Sequence, residues 1–353
     1  MKELKIEDKM IGDDHPVFFI AEAGVNHNGS IELGKKLIDI AAEAGADAVK
    51  FQSFKTKNII TPNAPKSTYH IETTGADDSQ TWYELLKTQE MSKDMHLELV
   101  KYCKYNKIIF LSTPYDKESV DLLYKLNIAA FKVASTDTSN TPFIKYIASK
   151  GRPMIISTAM ASMEEVETAI RTIRDEGLEK FAVLQCTGNY PSKLSDSNLR
   201  VIKTYKEKLN CIVGYSDHTP ELINPVAATA VGAKIYEKHF TSDKNLPGPD
   251  HRMSLDPLEL KNTIQIIRKT ESALGNSEKR VLDDEKENRI KLRKSIIAIK
   301  DLNEGEFITS ESIAIMRPQT GLPPFYYDEL IGKKIKKNIF KNNPVQKNDI
   351  DWS

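Results

Sequence analysis

Three cysteines, Cys103, Cys186 and Cys211, are all that these 353 residues contain. The number is odd and no CxxC spacing occurs, which excludes a disulfide framework and a zinc ribbon and suits reduced thiols in a cytoplasm. Net charge is also missing. Fifty basic residues balance fifty acidic ones, so no overall field draws the chain to a polyanion or a membrane surface. A local excess at Lys333, Lys334, Lys336, Lys337 and Lys341 reads as a solvated face rather than a nucleic-acid site. No apolar run approaches the roughly 18 residues of a membrane helix, and the charged start MKELKIEDKM is unlike a signal peptide. The expectation is a soluble cytoplasmic protein with no nucleic-acid or membrane partner.

What is present is alternation. Short β-rich runs recur through the first 275 residues: VFFIAEAG (17–24), AVKFQSF (48–54), IIFLSTPY (108–115), AFKVAST (130–136), PMIISTA (153–159), FAVLQCT (181–187), IVGYSDH (212–218) and KIYEKHF (234–240). Amphipathic helical stretches separate them. In one, Ser162 and Glu165 form a capping box, Val166, Ala169, Ile170 and Ile173 make an apolar face, and Gly177 ends the turn. The stretch 30–45 repeats the design, with Leu37, Ile38 and Ala41 facing inward. Strands separated by helices imply parallel pairing, and eight such units close into a (β/α)8 TIM barrel. The competing doubly wound sheet lacks its GxGxxG loop after the first strand.

The carboxyl-terminal halves of these runs carry Glu22 and Asn26, Lys50 and Gln52, Ser112 and Thr113, Lys132 and Ser135, Ser157 and Thr158, Gln185 and Thr187, Ser216 and His218, Glu237 and His239. His27 and His251 fall at strand ends or in the loops just after them. In a barrel such ends converge on one mouth. Residues two apart share a face, so Lys50 goes with Gln52, Ser216 with His218, and Glu237 with His239. His218 and His239 end neighbouring strands, roughly 5 Å apart. Two imidazoles so placed can share a divalent ion, and a nitrogen and oxygen donor set without converging thiols suits Mn²⁺, Mg²⁺ or Co²⁺ as a Lewis acid. Lys50 and Lys132 project from strand interiors, where an unpaired ammonium is costly. Their partner is either a protein carboxylate, Glu22 or Glu237, or an anionic ligand also held by the hydroxyls of Thr113, Ser135, Ser157 and Ser216. Two lysines with several hydroxyls suit a phosphate and a carboxylate on one small molecule. A Schiff-base lysine is the competing use, and a metal that polarises a carbonyl makes an imine unnecessary.

AEAGVNHNG (21–29), VKFQSFK (49–55), FLSTPYD (110–116), FKVAS (131–135), IISTAM (155–160), CTGNYP (186–191), GYSDHT (214–219), EKHFT (237–241) and GPDH (248–251) resemble, in order, the signatures of N-acetylneuraminate (sialic acid) synthases. The wider nonulosonate synthase group includes the legionaminic and pseudaminic acid enzymes. The resemblance covers nearly the whole chain. It implies condensation of phosphoenolpyruvate with N-acetylmannosamine, as its open-chain aldehyde, and water, giving N-acetylneuraminate and phosphate. It further implies a divalent metal on His218 and His239, and phosphoenolpyruvate held by Lys50, Thr113, Lys132, Ser135, Ser157 and Ser216. Glu22 and Glu237 would move protons, while Gln52, Tyr190, Asp250 and Arg317 would contact the sugar. Thr136–Asp137 stands where the family has Gly-Glu, Ala159 where STGM is commoner, Gly188 where Asn or Thr is usual, and Gln185 where His is common. These departures bear on sugar choice and leave the histidines and lysines intact.

Three domain regions follow: a barrel over 1–275, a charged connector over 276–293, and a small β-rich unit over 294–353 resembling the antifreeze-like (SAF) domain that ends sialic acid synthases. Arg317 matches the family's arginine that reaches the partner's barrel, which implies a domain-swapped homodimer. The stretch 55–81 is long for a compact domain unless it covers a site. Two alternatives accompany this reading. One is a legionaminic or pseudaminic acid synthase using a 2,4-diacetamido-6-deoxyhexose. The other is a non-catalytic sugar- or ice-binding protein, which has no need of a metal beside a phosphate pocket.

Overall fold

The computed structural model describes residues 3–66, 71 and 81–353. It divides into two compact units, 1–275 and 276–353. Among the described residues of the first, eight parallel strands close into a barrel. They are β1 (Phe18–Gly24), β2 (Ala48–Ser53), β3 (Ile109–Pro114), β4 (Phe131–Val133), β5 (Met154–Ser157), β6 (Phe181–Cys186), β7 (Ile212–Asp217) and β8 (Ile235–His239). They pair in chain order, and β8 returns to β1. Each matches a predicted run to within a few residues. The match follows from burial on both faces: parallel strands covered by helices read as continuous apolar runs that are hard to miss.

Eight helices alternate with the strands: α1 (Ile31–Ala44), α2 (Lys93–Tyr105), α3 (Lys117–Lys125), α4 (Thr141–Ala148), α5 (Met163–Asp175), α6 (Arg200–Leu209), α7 (Ile223–Ala230) and α8 (Pro257–Leu274). Local chemistry sets their ends. Ser162 and Glu165 close a capping box on α5, and Val166, Ala169, Ile170 and Ile173 are its buried face. Ser30 caps α1, and Gly45 ends it at φ +86°, a conformation that favours glycine. Among the described residues, the β2–α2 connection includes the short helices Thr56–Ile59 and Trp82–Gln89. Of the expected covering stretch 55–81, residues 67–70 and 72–80 lie outside the described residues. No helix among the described residues is long and apolar enough to cross a membrane.

Alternation sorts each strand into two faces. Phe18, Ile20, Ala48, Ile109, Leu111, Ala130, Ile155, Ala182, Leu184, Ile212 and Ile235 pack together with Leu4, Ile6 and Ile11. The last three belong to an antiparallel hairpin, Leu4–Ile6 with Lys9–Ile11, which lies against the barrel's inner apolar layer. Strands of three residues are too short for periodicity to reveal, so the sequence reading has no hairpin there. The opposite strand faces, with Phe19, Val49, Phe110, Val133, Ile156, Val183 and Val213, pack against the helices. The barrel interior is thus apolar toward the strand beginnings, which leaves the strand ends as the place for polar groups.

The second unit has its own small core of Ile296, Ala298, Leu302, Ile308, Ile313, Leu330, Ile335 and Ile350, among others. It contains two antiparallel strand pairs, Ser295–Ala298 with Ile313–Met316 and Lys334–Ile335 with Ile350–Asp351. The charged connector is exposed and partly helical, over Lys286–Leu292, and it groups with this unit.

Candidate active site

Above the apolar layer, the inner-facing residues become charged. Lys50 Nζ lies 2.7 Å from Glu22 Oε2 and 3.7 Å from Glu237 Oε2, and it donates to Thr113 Oγ1 at 2.9 Å. Lys132 Nζ donates to Ser157 Oγ at 2.7 Å and sits 3.5 Å from Glu237 Oε1. Ser216 Oγ donates to Glu237 Oε1 at 2.9 Å, and Gln52 Nε2 to Glu22 Oε1 at 3.2 Å. These side chains form one connected network. Glu22, Lys50, Lys132 and Glu237 are each no more than 5% exposed, so their charges act on one another with little screening. The lysines therefore have protein carboxylates as partners in the free protein.

Burial and charge push the acids apart. Glu22 is raised to about 7, because burial and the Glu237 carboxylate outweigh the pull of Lys50. Glu237 is also penalised by burial, but Lys132 and Lys50 together hold it below the usual carboxylate range. Asp250 is raised to about 6 by burial, against His218 and Lys50. Lys132 is lowered by burial, while in Lys50 burial is outweighed by Glu22 and Glu237 and the net shift is upward. Two carboxylates in one network with separated titrations are the arrangement that acid–base chemistry near neutral pH requires.

The rings of His218 and His239 lie 5.7 Å apart. His218 Nδ1 is 2.6 Å from the Thr187 carbonyl oxygen. It must therefore carry the proton and donate it, which leaves Nε2 as the basic nitrogen. His239 Nδ1 is buried without a hydrogen-bond partner, and the nearby Asp250 Oδ2 is 3.9 Å away. The Tyr190 ring lies 4.1 Å from that of His218. A β-carbon on Gly24, itself at φ +55°, would sit 3.4 Å from both Gln52 Nε2 and Glu22 Oε1 and 3.5 Å from Asp250 Oδ2. These are ordinary van der Waals distances, so the positive φ rather than crowding is what favours glycine there. Among the described residues, no group of three or more His, Cys, Asp or Glu is arranged to hold a metal.

Other predicted strand-end groups bond outside this network, several of them toward the helices. Ser112 bonds Ser53, which bonds His96, at 2.7 Å each. Thr158 donates to the Leu184 carbonyl at 2.8 Å, Thr187 to that of Asp196 at 2.8 Å, and Gln185 to that of Ser197 at 3.2 Å. His251 Nδ1 engages Thr241 Oγ1 at 2.6 Å, and the Gly29 amide donates to His27 Nδ1 at 3.0 Å. Ser135 Oγ accepts from the Ala159 amide at 2.9 Å, tying the turn after β4 to the end of β5. Arg317 belongs to the second unit, where Nε donates to the Leu292 carbonyl at 2.8 Å and the side chain is exposed. Cys186, missed as a site residue, has Sγ 3.7 Å from His218 Nδ1. Its place two residues beyond the inward Leu184 was the available signal.

A closed (β/α)8 barrel whose carboxyl-terminal mouth gathers two lysines, three carboxylates and two histidines has the construction of a barrel enzyme. Its relatives are specific. The NeuB family profile matches residues 37–279 and the SAF domain profile residues 293–351. The chain is 43% identical over 329 residues to N,N'-diacetyllegionaminic acid synthase of Campylobacter jejuni, covering 93% of this chain and 98% of that one. It is 35% identical over 351 residues to N-acetylneuraminate-9-phosphate synthase of Homo sapiens, covering 97% and 95%. The solved N-acetylneuraminic acid (sialic acid) synthetase of Leptospira borgpetersenii, in complex with citrate, superposes with a TM-score of 0.72 at 32% identity, over 81% of this chain and 95% of that one. The chain belongs to the NeuB family and is an enzyme of the nonulosonate-synthase type, with a carboxyl-terminal SAF domain.

Proposed function

We propose that the enzyme condenses phosphoenolpyruvate with the open-chain aldehyde of an N-acetylated amino sugar and water, releasing phosphate and a nonulosonic acid. The observation that carries this is the buried Glu22–Lys50–Glu237–Lys132 network beside the His218–His239 pair. Lys50 and Lys132, with the hydroxyls of Thr113, Ser135, Ser157 and Ser216, hold the phosphate and carboxylate of phosphoenolpyruvate. C3 then bonds to the aldehyde carbon, and the cation left at C2 takes up water. Collapse of the tetrahedral intermediate breaks the bond to phosphate oxygen. Glu22, at about 7, can both give and take a proton at neutral pH, so it is assigned proton transfer to the new alkoxide or from the attacking water. Glu237 stays ionised and steadies the two lysines and the developing positive charge. Tyr190, Gln52 and Asp250 line the sugar's side.

His218 and His239 would hold a divalent cation, Mn²⁺ first, with Mg²⁺ or Co²⁺ as substitutes. The residues fit it: one imidazole is fixed in the tautomer that leaves Nε2 basic, and the other has a buried nitrogen without a partner. With only two protein nitrogens, the remaining positions are left to water or substrate oxygen. When bound, such an ion supplies Lewis-acid polarisation of the aldehyde. Arg317 is assigned to the sugar in the partner subunit's barrel, which makes the active species a two-fold dimer.

The sequence reading put N-acetylmannosamine first. The higher identity to the legionaminic acid synthase, 43% against 35% for the N-acetylneuraminate-9-phosphate synthase, favours a 2,4-diacetamido hexose as the second reading. The decisive experiment measures phosphate release from phosphoenolpyruvate with N-acetylmannosamine, its 6-phosphate and the two diacetamido-6-deoxyhexoses side by side. Turnover with one aldehyde identifies the substrate. Release of no phosphate with any of them refutes the proposal and favours the binding-protein alternative.

A further inference from the structure

Each histidine of the pair is preceded in sequence by a buried charge of opposite sign to its counterpart: Asp217 before His218, Lys238 before His239. Asp217 and Lys238 are register partners on β7 and β8. Alternation turns them away from the barrel interior while the histidines turn inward. Their side chains are 0% and 3% exposed, and Lys238 Nζ lies 2.7 Å from Asp217 Oδ2. The Tyr236 hydroxyl donates to the same oxygen at 2.6 Å. Asp217 Oδ1 accepts from the Thr219 amide at 2.9 Å and the Thr219 hydroxyl at 2.8 Å. Lys238 also donates to the Thr219 carbonyl. The Tyr236 and Lys238 bonds join β8 to the residues on either side of His218, and the two Asp217–Thr219 bonds brace the chain across His218 itself.

A buried ion pair is a poor source of net stability, since an apolar pair of similar volume often serves as well. Nor does β7–β8 pairing require it, because the backbone register already joins Ile235–Lys238 to Gly214–Asp217. What the pair adds is a fixed geometry at the strand ends. Backbone pairing of β7 and β8 stops at Asp217 and Lys238, one residue short of both histidines. Beyond that point His218 is held by its Nδ1 bond to Thr187 and by Ser192, whose amide donates to its carbonyl at 2.9 Å.

We propose that the Asp217–Lys238 ion pair, with Tyr236 and Thr219, is a positioning device that sets the separation and angle of the His218–His239 pair for a divalent ion. Asp217 and Lys238 are positioning residues: they act through the strand ends and touch neither substrate nor ion. The inference rests on the reading that these histidines hold a metal, and the test separates the two.

The test titrates the metal-free full chain with Mn²⁺, reading free Mn²⁺ by electron paramagnetic resonance, and measures phosphoenolpyruvate affinity separately by calorimetry. The main variant is Asp217→Asn/Lys238→Met, which removes both charges together and leaves no buried ion unpaired. Its Mn²⁺ affinity should fall at least tenfold, the lower range for losing an outer partner of a metal site, with phosphoenolpyruvate affinity within twofold of wild type. Tyr236→Phe removes one hydroxyl donor and no charge. It should weaken Mn²⁺ two- to fivefold, and it decides the question if the double variant does not fold. Wild-type Mn²⁺ affinity in the folded variants would overturn the proposal, as would an equal loss of phosphoenolpyruvate and Mn²⁺ affinity, which marks general loosening of the mouth. The control is His239→Ala. If it binds Mn²⁺ like wild type, the metal reading itself fails and the positioning role falls with it.

Discussion

Lys50 is the residue whose removal most directly tests the charge network. Replacing it with methionine keeps the stem's volume and deletes the ammonium. Among the described residues, Glu22, 2% exposed, then loses its ion-pair partner at 2.7 Å, and Glu237 is left with Lys132 at 3.5 Å. Removing one member of a buried pair costs about 3–5 kcal/mol, a large share of the roughly 5–15 kcal/mol that holds a protein folded. Removing both members together leaves no orphan charge, so Lys50→Met/Glu22→Gln should lie within about 2 kcal/mol of wild type. The two substitutions should then couple by about 2 kcal/mol or more.

The pH dependence makes this test sharper. Glu22 titrates near 7 in the folded protein, above its unfolded value of 4.5. The folded state therefore keeps a proton that the unfolded chain releases, and the associated stability, full below the unfolded value, is lost as pH rises through about 7. Without Lys50, burial and Glu237 are opposed only by the weaker Gln52 hydrogen bond, and the folded value climbs further. The Lys50→Met defect should thus be smallest near pH 5, where Glu22 is protonated with or without the lysine, and largest near pH 8. Urea unfolding of wild type, both single variants and the double variant at the two pH values measures this. An equal Lys50→Met defect at both, with additive single effects, would refute the coupling.

Three further outcomes are expected. Chelation should abolish turnover and Mn²⁺, Co²⁺ or Mg²⁺ restore it; full activity in excess EDTA, with no metal by elemental analysis, would end the Lewis-acid account. Arg317→Ala and His239→Ala should each be nearly inactive alone, whereas a co-expressed heterodimer should regain activity in the site that pairs an intact barrel with an intact partner arginine. No recovery on mixing, or a monomer by light scattering, would remove Arg317 from the partner's site. Phosphoenolpyruvate binding should take up protons between pH 6 and 8, seen as a dependence of calorimetric heat on buffer ionisation enthalpy; buffer-independent heats would contradict it.

The barrel was legible because its strands are buried on both faces and its helices carry their own caps, as with Ser162 and Glu165. The inner site was legible through period two: Lys50, Lys132, Ser157, Ser216, Glu237 and the two histidines lie on the inward phase. The same rule, applied less strictly, brought in Ser112, Thr158 and Gln185, which stand one residue out of phase and bond toward the helices. A polar residue at a strand end is evidence for a mouth only when its phase is known. The hairpin at residues 4–11 and the partners of Lys50 were not legible, because both depend on distant strands meeting. Nothing near Lys50 in sequence distinguishes a salt bridge to Glu22 or Glu237 from a vacant anion site.

That last ambiguity bears on how the site works. The mouth holds two lysines against Glu22, Glu237 and Asp250, so if all were ionised these five groups would already carry one negative charge in excess before any ligand arrived. A phosphate and a carboxylate would add more, in a place where little water screens them. Lys50 cannot serve both Glu22 and an incoming anion at full strength from 2.7 Å. The acids that can yield are those that burial has already raised, Glu22 to about 7 and Asp250 to about 6. On the proposed function, an arriving anion should raise them further, so that they bind protons and Lys50 turns from Glu22 toward the ligand. In the proposed reaction this leaves a neutral, proton-bearing carboxyl beside the aldehyde as the new carbon–carbon bond forms. On that proposal the pairing of Lys50 with Glu22 in the free protein would be the resting half of an exchange that arms the acid, and the structural and functional readings of that lysine would describe successive states of one group.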